Sequence, residues 1–389
     1  MAHLPAPSLP AGDLRASRTP LAGFGAMGAI WGALAAMMPA LRAQAGVSDA
    51  ELGAVFLFSA LVSVASMLAG PRIGRALGRR ALPLATAAMV AALPLVGIAG
   101  SLWQLAAALA TLGATSAVVD VLMNGRVAAV EAARGRPLMN LTHAGYSLSF
   151  FAGAVLTGLA RDAGAAPVAV FVALALGLAP LVWLTLDRPP ASERREASPP
   201  AAPGTLVWAV AGLGGGVMLL ASMLESGTET WSALHLERSL GAGPALAALG
   251  PAMLGLCMGL GRLGGQALAR RVAPLGLIAG GAVLAAAGAA LAALAATPGP
   301  ALAGLCAVGF GASVLIPTAL SLIGAATPAE QRTAMIARAY ALGFCGYVIG
   351  PFLMGQIAEA AGLHWSFLLL AVAGLAVLPL VAALGRHRR

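Results

Sequence analysis

Long apolar runs alternate with short polar stretches along almost the whole chain. Each run is close to the roughly 20 residues that an α-helix needs to cross the hydrocarbon core of a bilayer. The pattern therefore predicts twelve transmembrane helices, whose ends it defines only to within several residues. The predicted helices are 20–42, 50–70, 81–100, 102–124, 138–160, 165–186, 204–226, 244–268, 273–296, 300–325, 333–357 and 363–385.

One long stretch, 187–203, is polar and rich in Pro, and it separates six apolar runs from six. It predicts a flexible linker between two bundles. The first 19 residues contain no apolar core, so we expect a tail rather than a cleaved signal peptide. The predicted organisation is a cytoplasmic tail 1–19, an N-terminal six-helix bundle 20–186, a cytoplasmic linker 187–203, a C-terminal six-helix bundle 204–385 and a cytoplasmic tail 386–389.

The composition supports an all-α polytopic membrane protein. Hydrophobic residues make up 60% of the chain and charged residues only 10%, which is more apolar surface than one soluble core can use. The net charge of +9 would suit a nucleic-acid partner, but the basic residues lie in short loops without interleaved aromatics. We therefore expect the lipid bilayer, and no nucleic acid, as a partner.

The distribution of Arg orients the predicted helices. Arg supplies all 23 basic residues, and cytoplasmic loops of membrane proteins are enriched in Lys and Arg. If the N-terminus is cytoplasmic, every Arg except Arg42, Arg161 and Arg238 falls on the cytoplasmic side. We therefore expect both termini in the cytoplasm.

Motifs for covalent or metal chemistry are missing from the sequence. The three Cys lie inside apolar runs, and no CxxC or Cys/His spacing occurs. The sequence also has no nucleophile elbow and no phosphate loop. We therefore expect no disulfide framework, no metal, no cofactor and no enzyme activity.

The two halves of the sequence share short motifs at equivalent positions. "GPRIGRALGRR" at 70–80 aligns with "GRLGGQALARR" at 261–271, after the second predicted helix of each half. A second match, at a similar offset, pairs Gly153 with Gly350, Gly158 with Gly355 and Asp162 with Glu359. Repeats of the same topology predict two bundles related about the membrane normal, with a substrate site between them at mid-membrane.

Twelve predicted spans, a central linker and a Gly/Arg motif after spans two and eight resemble the major facilitator superfamily. The resemblance covers nearly the whole chain and implies a monomeric secondary transporter of the bacterial inner membrane. The loop motif departs from the family pattern, because Gly74 or Arg75 stands where the family carries an Asp. The resemblance therefore does not predict the family's gating ion pair here.

A narrower resemblance lies in "DVLMNGRVAAVEAARGRPLMNLTHAGYSLSFFAGA" at 120–154 and "ESGTETWSALHLERSLG" at 225–241. These segments resemble the fucose-permease-like branch and related bacterial permeases. The branch implies uptake of a sugar or sugar-like small polar solute by proton symport, with the acid of the first motif, Asp120, in proton coupling. The resemblance thus implies a small-molecule substrate and protons as the coupling ion.

Other functions stay open. A proton-driven efflux antiporter for metabolites or drugs is the main alternative, but "GYVIGPFLMG" at 346–355 resembles the drug-antiporter signature in span eleven rather than span five. We interpret it as a close-packing Gly face. A non-transporting sensor or scaffold would leave buried acids without a reason. A cavity lined by Asn, Trp, Tyr and His would favour a sugar, and one lined by Met and Phe would favour export.

Ionisable and polar residues inside predicted spans are the candidate site, because a charge in lipid costs roughly 3 kcal/mol and usually faces a cavity or a partner. The proton-coupling candidates are Asp120, Glu225, Glu229 and His143. The substrate-binding candidates are Asn124, Tyr146, Trp31, Ser147 and Tyr340. The predicted cytoplasmic gate motif comprises Gly70, Arg75, Gly78, Arg79, Arg80, Arg262, Arg270 and Arg271.

Each candidate has a structural alternative. Counting from the start of span four puts Asp120 nearer the cytoplasmic surface than the middle of the bilayer, so it could instead be an anchor paired with Arg126. Glu225 and Glu229 could be solvated at the outer mouth, and His143 could be a buried side chain bonded to a carbonyl. Trp31 could pack against lipid. We expect Trp231, which follows this polar segment, to be an interfacial anchor.

Overall fold

The structure is a computed structural model, and it describes residues 17–134, 138–186, 204–268 and 271–386. The predicted linker, nearly all of the predicted N-terminal tail, Arg270 and the last three residues lie outside the described residues. Every regular element in the described part is helical, and it contains no β-strand. The predicted all-α fold class is confirmed.

Thirteen α-helices follow one another in the described chain, numbered here in order. They are α1 (Arg18–Ala45), α2 (Asp49–Leu77), α3 (Ala81–Gly97), α4 (Leu102–Arg134), α5 (Met139–Asp162), α6 (Pro167–Leu184), α7 (Thr205–Leu234), α8 (Pro244–Leu268), α9 (Pro274–Leu294), α10 (Pro298–Ala312), α11 (Leu315–Ala326), α12 (Ala329–Ala361) and α13 (Leu363–Arg386). A 3₁₀ turn, Gly78–Arg80, joins α2 to α3, and a π-helical turn, His235–Ser239, extends α7.

Ten helical stretches among the described residues are long and apolar enough to cross a membrane. One of them, Asp49–Gly97, is 49 residues long and contains α2 and α3 together, while α5 is not among the ten. Every predicted span falls on helix, but the count of twelve membrane crossings stays a prediction.

The predicted tenth span consists of two helices, α10 and α11, rather than one. Pro317 has no N–H to donate, and its ring would collide with the carbonyl of Ser313, four residues earlier, if the helix ran straight. The chain turns at residues 313–314, where the Ser313 hydroxyl donates a hydrogen bond to the Phe310 carbonyl oxygen at 2.7 Å, whereas α1 and α12 continue through Pro39 and Pro351.

Two helices, α4 and α7, extend beyond their predicted ends in a way that changes the setting of candidate residues. α4 continues to Arg134 instead of ending at 124, so Asp120 lies well inside a helix of 33 residues and not at the end of a span. α7 continues past 226 to Leu234. The polar Ser226 does not end the helix, because its hydroxyl donates a hydrogen bond to the Ser222 carbonyl oxygen of the same helix at 2.8 Å.

The helices of the two halves pack in matching pairs. α1 packs along α5, α2 along α4 and α3 along α6, and the corresponding pairs are α7 with α12, α8 with α10 and α9 with α13. Between the halves, α2 contacts α12 and α5 contacts α8. This packing agrees with the internal repeat read from the sequence, whereas the exact bundle boundaries stay a prediction.

Glycines allow the long pairs to approach closely. A Cβ atom at Gly28 or Gly32 of α1 would overlap the backbone of α5. A Cβ at Gly346 would overlap α7 in the same way, and one at Gly350 would crowd it. The prediction that 346–355 forms a close-packing face is therefore confirmed.

Candidate functional site

The helices alternate in direction, with α10 and α11 counted together as one crossing, so the molecule has two faces. We call the face with the start of α1 and the end of α13 the terminal face. We call the face with the loop after α1, residues 46–48, the distal face.

A cavity of about 980 Å³ lies between helices of both halves. Helices α1, α2, α4 and α5 line it from the first half, and α7, α8, α11 and α12 are among those that line it from the second. The lining extends to Met139 and Val272 near the terminal face, and toward the distal face it reaches Thr230 and Pro351. The cavity is therefore open toward the terminal face.

An ion-pair cluster around Asp49 closes the distal face. The side chain of Asp49 is only 4% exposed and binds both Arg42 of α1 and Arg238 beyond α7. Arg238 Nη1 lies 2.6 and 2.9 Å from the two carboxylate oxygens. The backbone N–H of Asp49 also donates to the Glu359 carboxylate on α12 at 3.0 Å. These bonds connect the start of α2 to two helices of the second half.

A second link across the distal face joins Arg161 at the end of α5 to Glu237 in the π-helical turn, at 2.9 Å. Arg161 is nearly buried and also donates to the Ala36 carbonyl oxygen of α1 at 2.9 Å. Each Arg that departs from the predicted charge distribution, namely Arg42, Arg161 and Arg238, thus has a carboxylate partner. Their positive charges are neutralised where they lie.

The four predicted coupling candidates all line the cavity. Glu225 forms an ion pair with Arg262, with 3.5 Å between Oε1 and Nη2. Asp120 accepts a hydrogen bond from Asn124 Nδ2 at 2.9 Å. Within the part of the chain that the structure describes, neither Asp120 nor Glu229 is ion-paired with an Arg or His. The cavity therefore holds two carboxyl groups that form no ion pair with a described side chain.

Aromatic rings surround these carboxyl groups. The His143 ring packs against Phe24, with 4.9 Å between ring centroids, and the Tyr146 ring packs against Phe150 at 6.1 Å. Tyr347 lies beside the Glu225 carboxylate. The cavity therefore offers ring faces as well as charge to a bound solute.

Three of the five predicted binding residues, Trp31, Tyr146 and Tyr340, line the cavity. Asn124 and Ser147 do not belong to the lining. The Asn124 amide donates to the side chain and to the carbonyl oxygen of Asp120. Ser147 is buried against Gly259 where α5 meets α8. Asn124 is therefore positioned to orient the carboxylate, and Ser147 lies in a helix contact.

The predicted gate motif divides between two environments. Arg75, Arg79, Arg80 and Arg271 are exposed at the terminal face, and Arg270 lies outside the described residues. Gly70 is buried against Val121, and Gly78 has a φ of 52°, which favours glycine in the turn between α2 and α3.

Arg262 differs from the other arginines of the motif because it lines the cavity. The sequence contained a signal for Arg262, because this charged residue falls inside the predicted eighth span. Tyr347 is likewise a polar residue inside a predicted span, the eleventh. The motif alignment assigned Arg262 to a loop instead, and Tyr347 was not singled out. The structure brings both side chains to the cavity wall.

The prediction that Trp231 is an interfacial anchor is wrong. Its side chain is completely buried, and its indole Nε1 donates to the Pro351 carbonyl oxygen of α12 at 3.1 Å. The reason is the length of α7, which carries Trp231 into the packed contact with α12 instead of leaving it in a loop.

Comparisons with known proteins agree with this architecture. The family model described as Major Facilitator Superfamily matches residues 21–307 and 219–389. An uncharacterised MFS-type transporter of Yersinia pestis is 30% identical over 86% of this chain and 87% of its own length. The membrane protein MosC of Rhizobium meliloti is 27% identical over 93% of this chain and 88% of its own length.

Solved structures show the same fold. A structure of the nucleoside transporter NupG has a TM-score of 0.73, with 14% identity over 96% of this chain and 99% of that one. A bacterial homologue of the human lysosomal transporter Spinster has a TM-score of 0.71, with 16% identity over 95% of this chain and 96% of that one. With the family match over most of the sequence, these findings establish that the chain belongs to the Major Facilitator Superfamily and is a multi-pass membrane transporter.

Proposed function

We propose that this transporter couples the movement of a small organic solute to protons and works by alternating access in the bacterial inner membrane. The observation that carries the proposal is the pair of carboxyl groups, Asp120 and Glu229, that lie in a cavity shared by both halves and form no ion pair with a described Arg or His. A carboxylate in the membrane interior is costly unless it faces water, binds a cation or takes up a proton. A group that must bind and release a proton as its surroundings change is what proton coupling requires.

The geometry of the cavity supports alternating access. It opens toward the terminal face, while the Asp49 cluster and the Arg161–Glu237 pair join the halves at the distal face. In transporters built from two repeats, rocking of one bundle against the other exposes a central site to each side in turn. We propose that the predicted bundles, 20–186 and 204–385, are the rocking bodies.

We further propose that the terminal face is cytoplasmic. The arginines of the gate motif that lie there, among them Arg75, Arg79 and Arg80, are exposed and form no ion pair with a described acid, whereas the distal arginines are neutralised by acids. An excess of uncompensated positive charge is typical of cytoplasmic loops.

The solute and direction have two candidates, each with an observation in its favour. Sugar uptake by symport is supported by five Trp, Tyr and His side chains in the lining, which could stack on or hydrogen-bond a sugar. Efflux of an amphipathic metabolite or drug by antiport is supported by eight Met and Phe side chains. Among the described lining residues there is no Asn, which was the amide expected of a sugar site.

The test begins with a thermal-shift screen of sugars, amino acids and amines on the purified protein. The compound that stabilises it most is then assayed for transport in proteoliposomes, with and without a pH gradient. We expect the gradient to drive accumulation, and Asp120→Asn or Glu229→Gln to abolish that accumulation while solute exchange continues. Asp162→Asn, an exposed acid at the distal face, is the matched control and should behave as wild type. Gradient-driven transport that survives both cavity substitutions would show that these acids do not couple protons.

A further inference from the structure

The charge of the cavity is unbalanced. The described side chains that line it include three acids, Asp120, Glu225 and Glu229, and one permanent cation, Arg262. Arg262 is already paired with Glu225 at 3.5 Å. The remaining two carboxyl groups lie on opposite halves of the molecule, Asp120 on α4 and Glu229 on α7. When both carboxyl groups are ionised, the cavity therefore presents an excess of negative charge to a solute from both sides.

The titratable groups that face the two acids come from each neighbouring element of the lining. They are His143 and Tyr146 on α5, Glu225 on α7, Arg262 on α8, and Tyr340 and Tyr347 on α12. Only Arg262 is a fixed cation, and the Tyr hydroxyls are neutral near physiological pH. The lining from α1 and α2 contributes no ionisable side chain in the described residues. The charge excess is thus not offset from another side of the cavity.

The uncharged part of the wall suits a cation. Seven Trp, Tyr and Phe rings and five Met side chains line the cavity; the rings are Phe24, Trp31, Phe56, Tyr146, Tyr340, Phe344 and Tyr347. Aromatic faces attract ammonium groups, the more strongly when water is excluded, and Met sulfurs adapt to apolar bodies of different shape. Amide side chains, which would hydrogen-bond the hydroxyls of a neutral polyol, are absent from the described lining. These walls favour a molecule with a positive charge and an apolar part.

We propose that the transported solute is a small organic cation, an amine with a partly apolar body, which binds between Glu229 and Asp120 in exchange for a proton. This proposal rests on the proposed function, since it uses the same cavity and the same two acids. An anion is disfavoured, because it would have to displace Glu225 from Arg262 while facing two further acids.

The exchange step balances without a further reactant. In the empty cavity a protonated carboxyl group is neutral. When the ammonium group of the solute approaches, the carboxyl releases its proton to water and the carboxylate forms an ion pair with the ammonium. No other bond forms or breaks, and the net charge of the occupied cavity equals that of the empty, protonated one. Proton and solute thus compete for one site, which links their movements.

Binding to the purified full-length protein tests the proposal with matched probes. Phenethylamine is compared with phenethyl alcohol, and glucosamine with glucose, by isothermal titration in a buffer that keeps both amines protonated. We expect the amine of each pair to bind at least about tenfold more tightly than its neutral partner, with phenethylamine the tighter of the two amines. Equal binding within each pair would overturn the proposal, and stronger binding of glucose would indicate a sugar site instead.

Proton release provides a second measurement. Adding phenethylamine hydrochloride to the protein in weakly buffered solution should release protons, detected with a pH-indicator dye. Glu229→Gln should reduce both the release and the affinity, while Asp162→Asn should change neither. Tight amine binding without proton release would contradict the exchange step.

The two proposals can fail separately. If a pH gradient drives a neutral solute but amines bind no better than alcohols, the cation assignment is wrong and proton coupling stands. If amines bind selectively but no gradient drives them in proteoliposomes, proton coupling is wrong and the cation site stands.

Discussion

The Glu225–Arg262 pair shows how one residue can change the chemistry of the cavity. Without Arg262, a third acid would lack a partner, and without Glu225 the cavity would hold a free cation. We expect Glu225→Gln and Arg262→Gln each to destabilise the protein, because each leaves one charge unpaired. The double variant should lose less stability than the sum, with a coupling of about 1 kcal/mol. The side chains are 16% and 32% exposed, so solvent screening keeps this value below that of a fully buried pair.

Chemical denaturation in detergent, followed by circular dichroism, measures the coupling between the two positions. Strictly additive losses would mean that the pair contributes nothing to stability. In that case the contact at 3.5 Å is only a close approach.

Residue chemistry was predictable where it follows from burial, and not where it depends on a neighbouring helix. An acid such as Asp120 inside an apolar run must face a cavity or a partner, and it does line the cavity. The role of Trp231 depends on how far α7 extends, and the role of Arg262 depends on which acid packs against it. A single sequence carries no record of those contacts, so Arg262 was grouped with the loop arginines and Trp231 with interfacial anchors.

At the scale of helices, close packing of α1 on α5 gives a sharp prediction. Gly32→Ala places a methyl group against the Phe150 backbone, which cannot rotate away as a side chain could. We expect a loss of roughly 1–3 kcal/mol from overpacking. Gly25→Ala on the same helix is the matched control, because nothing lies within 4 Å of its Cβ position. That variant should be neutral or gain up to about 1 kcal/mol, since Ala favours helix over Gly.

Thermal unfolding of both variants in one detergent separates packing from helix propensity. If Gly32→Ala is as stable as Gly25→Ala, α1 and α5 do not approach as closely as the structure indicates. The same comparison can be made on α12, where Gly346 faces α7.

The existence of the helices was predictable from hydrophobicity, but their ends and breaks were not. An apolar run reports that a segment can lie in lipid, and the run 300–325 stays apolar across the turn at 313–314. The missing N–H of Pro317 favours that break but does not identify it, because Pro39 and Pro351 lie inside unbroken helices. Conversely, α4 and α7 continue through polar residues because those side chains find partners or the cavity, as Asn124 does with Asp120. Hydropathy ends a predicted span at such residues, although the helix goes on.

For the whole molecule, the distal links are expected to set the balance between the two states of the alternating-access proposal. Glu237→Gln removes the charge that binds Arg161 and leaves that nearly buried cation without its carboxylate. The state closed at the distal face loses stability, whereas a state with separated halves loses little. We therefore expect the population to shift toward distal opening, by about tenfold for each 1.4 kcal/mol lost.

Thiol labelling measures this shift. Met38→Cys, in a background with the three native Cys replaced, puts a reporter on the cavity lining in the distal half of α1. Its labelling by a membrane-impermeant maleimide, in proteoliposomes oriented with the distal face outward, should accelerate in Glu237→Gln. The charge-reversed pair Arg161→Glu with Glu237→Arg should bring the rate back toward wild type, because it restores the attraction across the same gap. Glu51→Gln is the control, since among the described residues this acid of the distal face bonds within its own helix start, where Gln preserves the capping box. Equal labelling rates in all four proteins would mean that the Arg161–Glu237 pair does not hold the distal face closed.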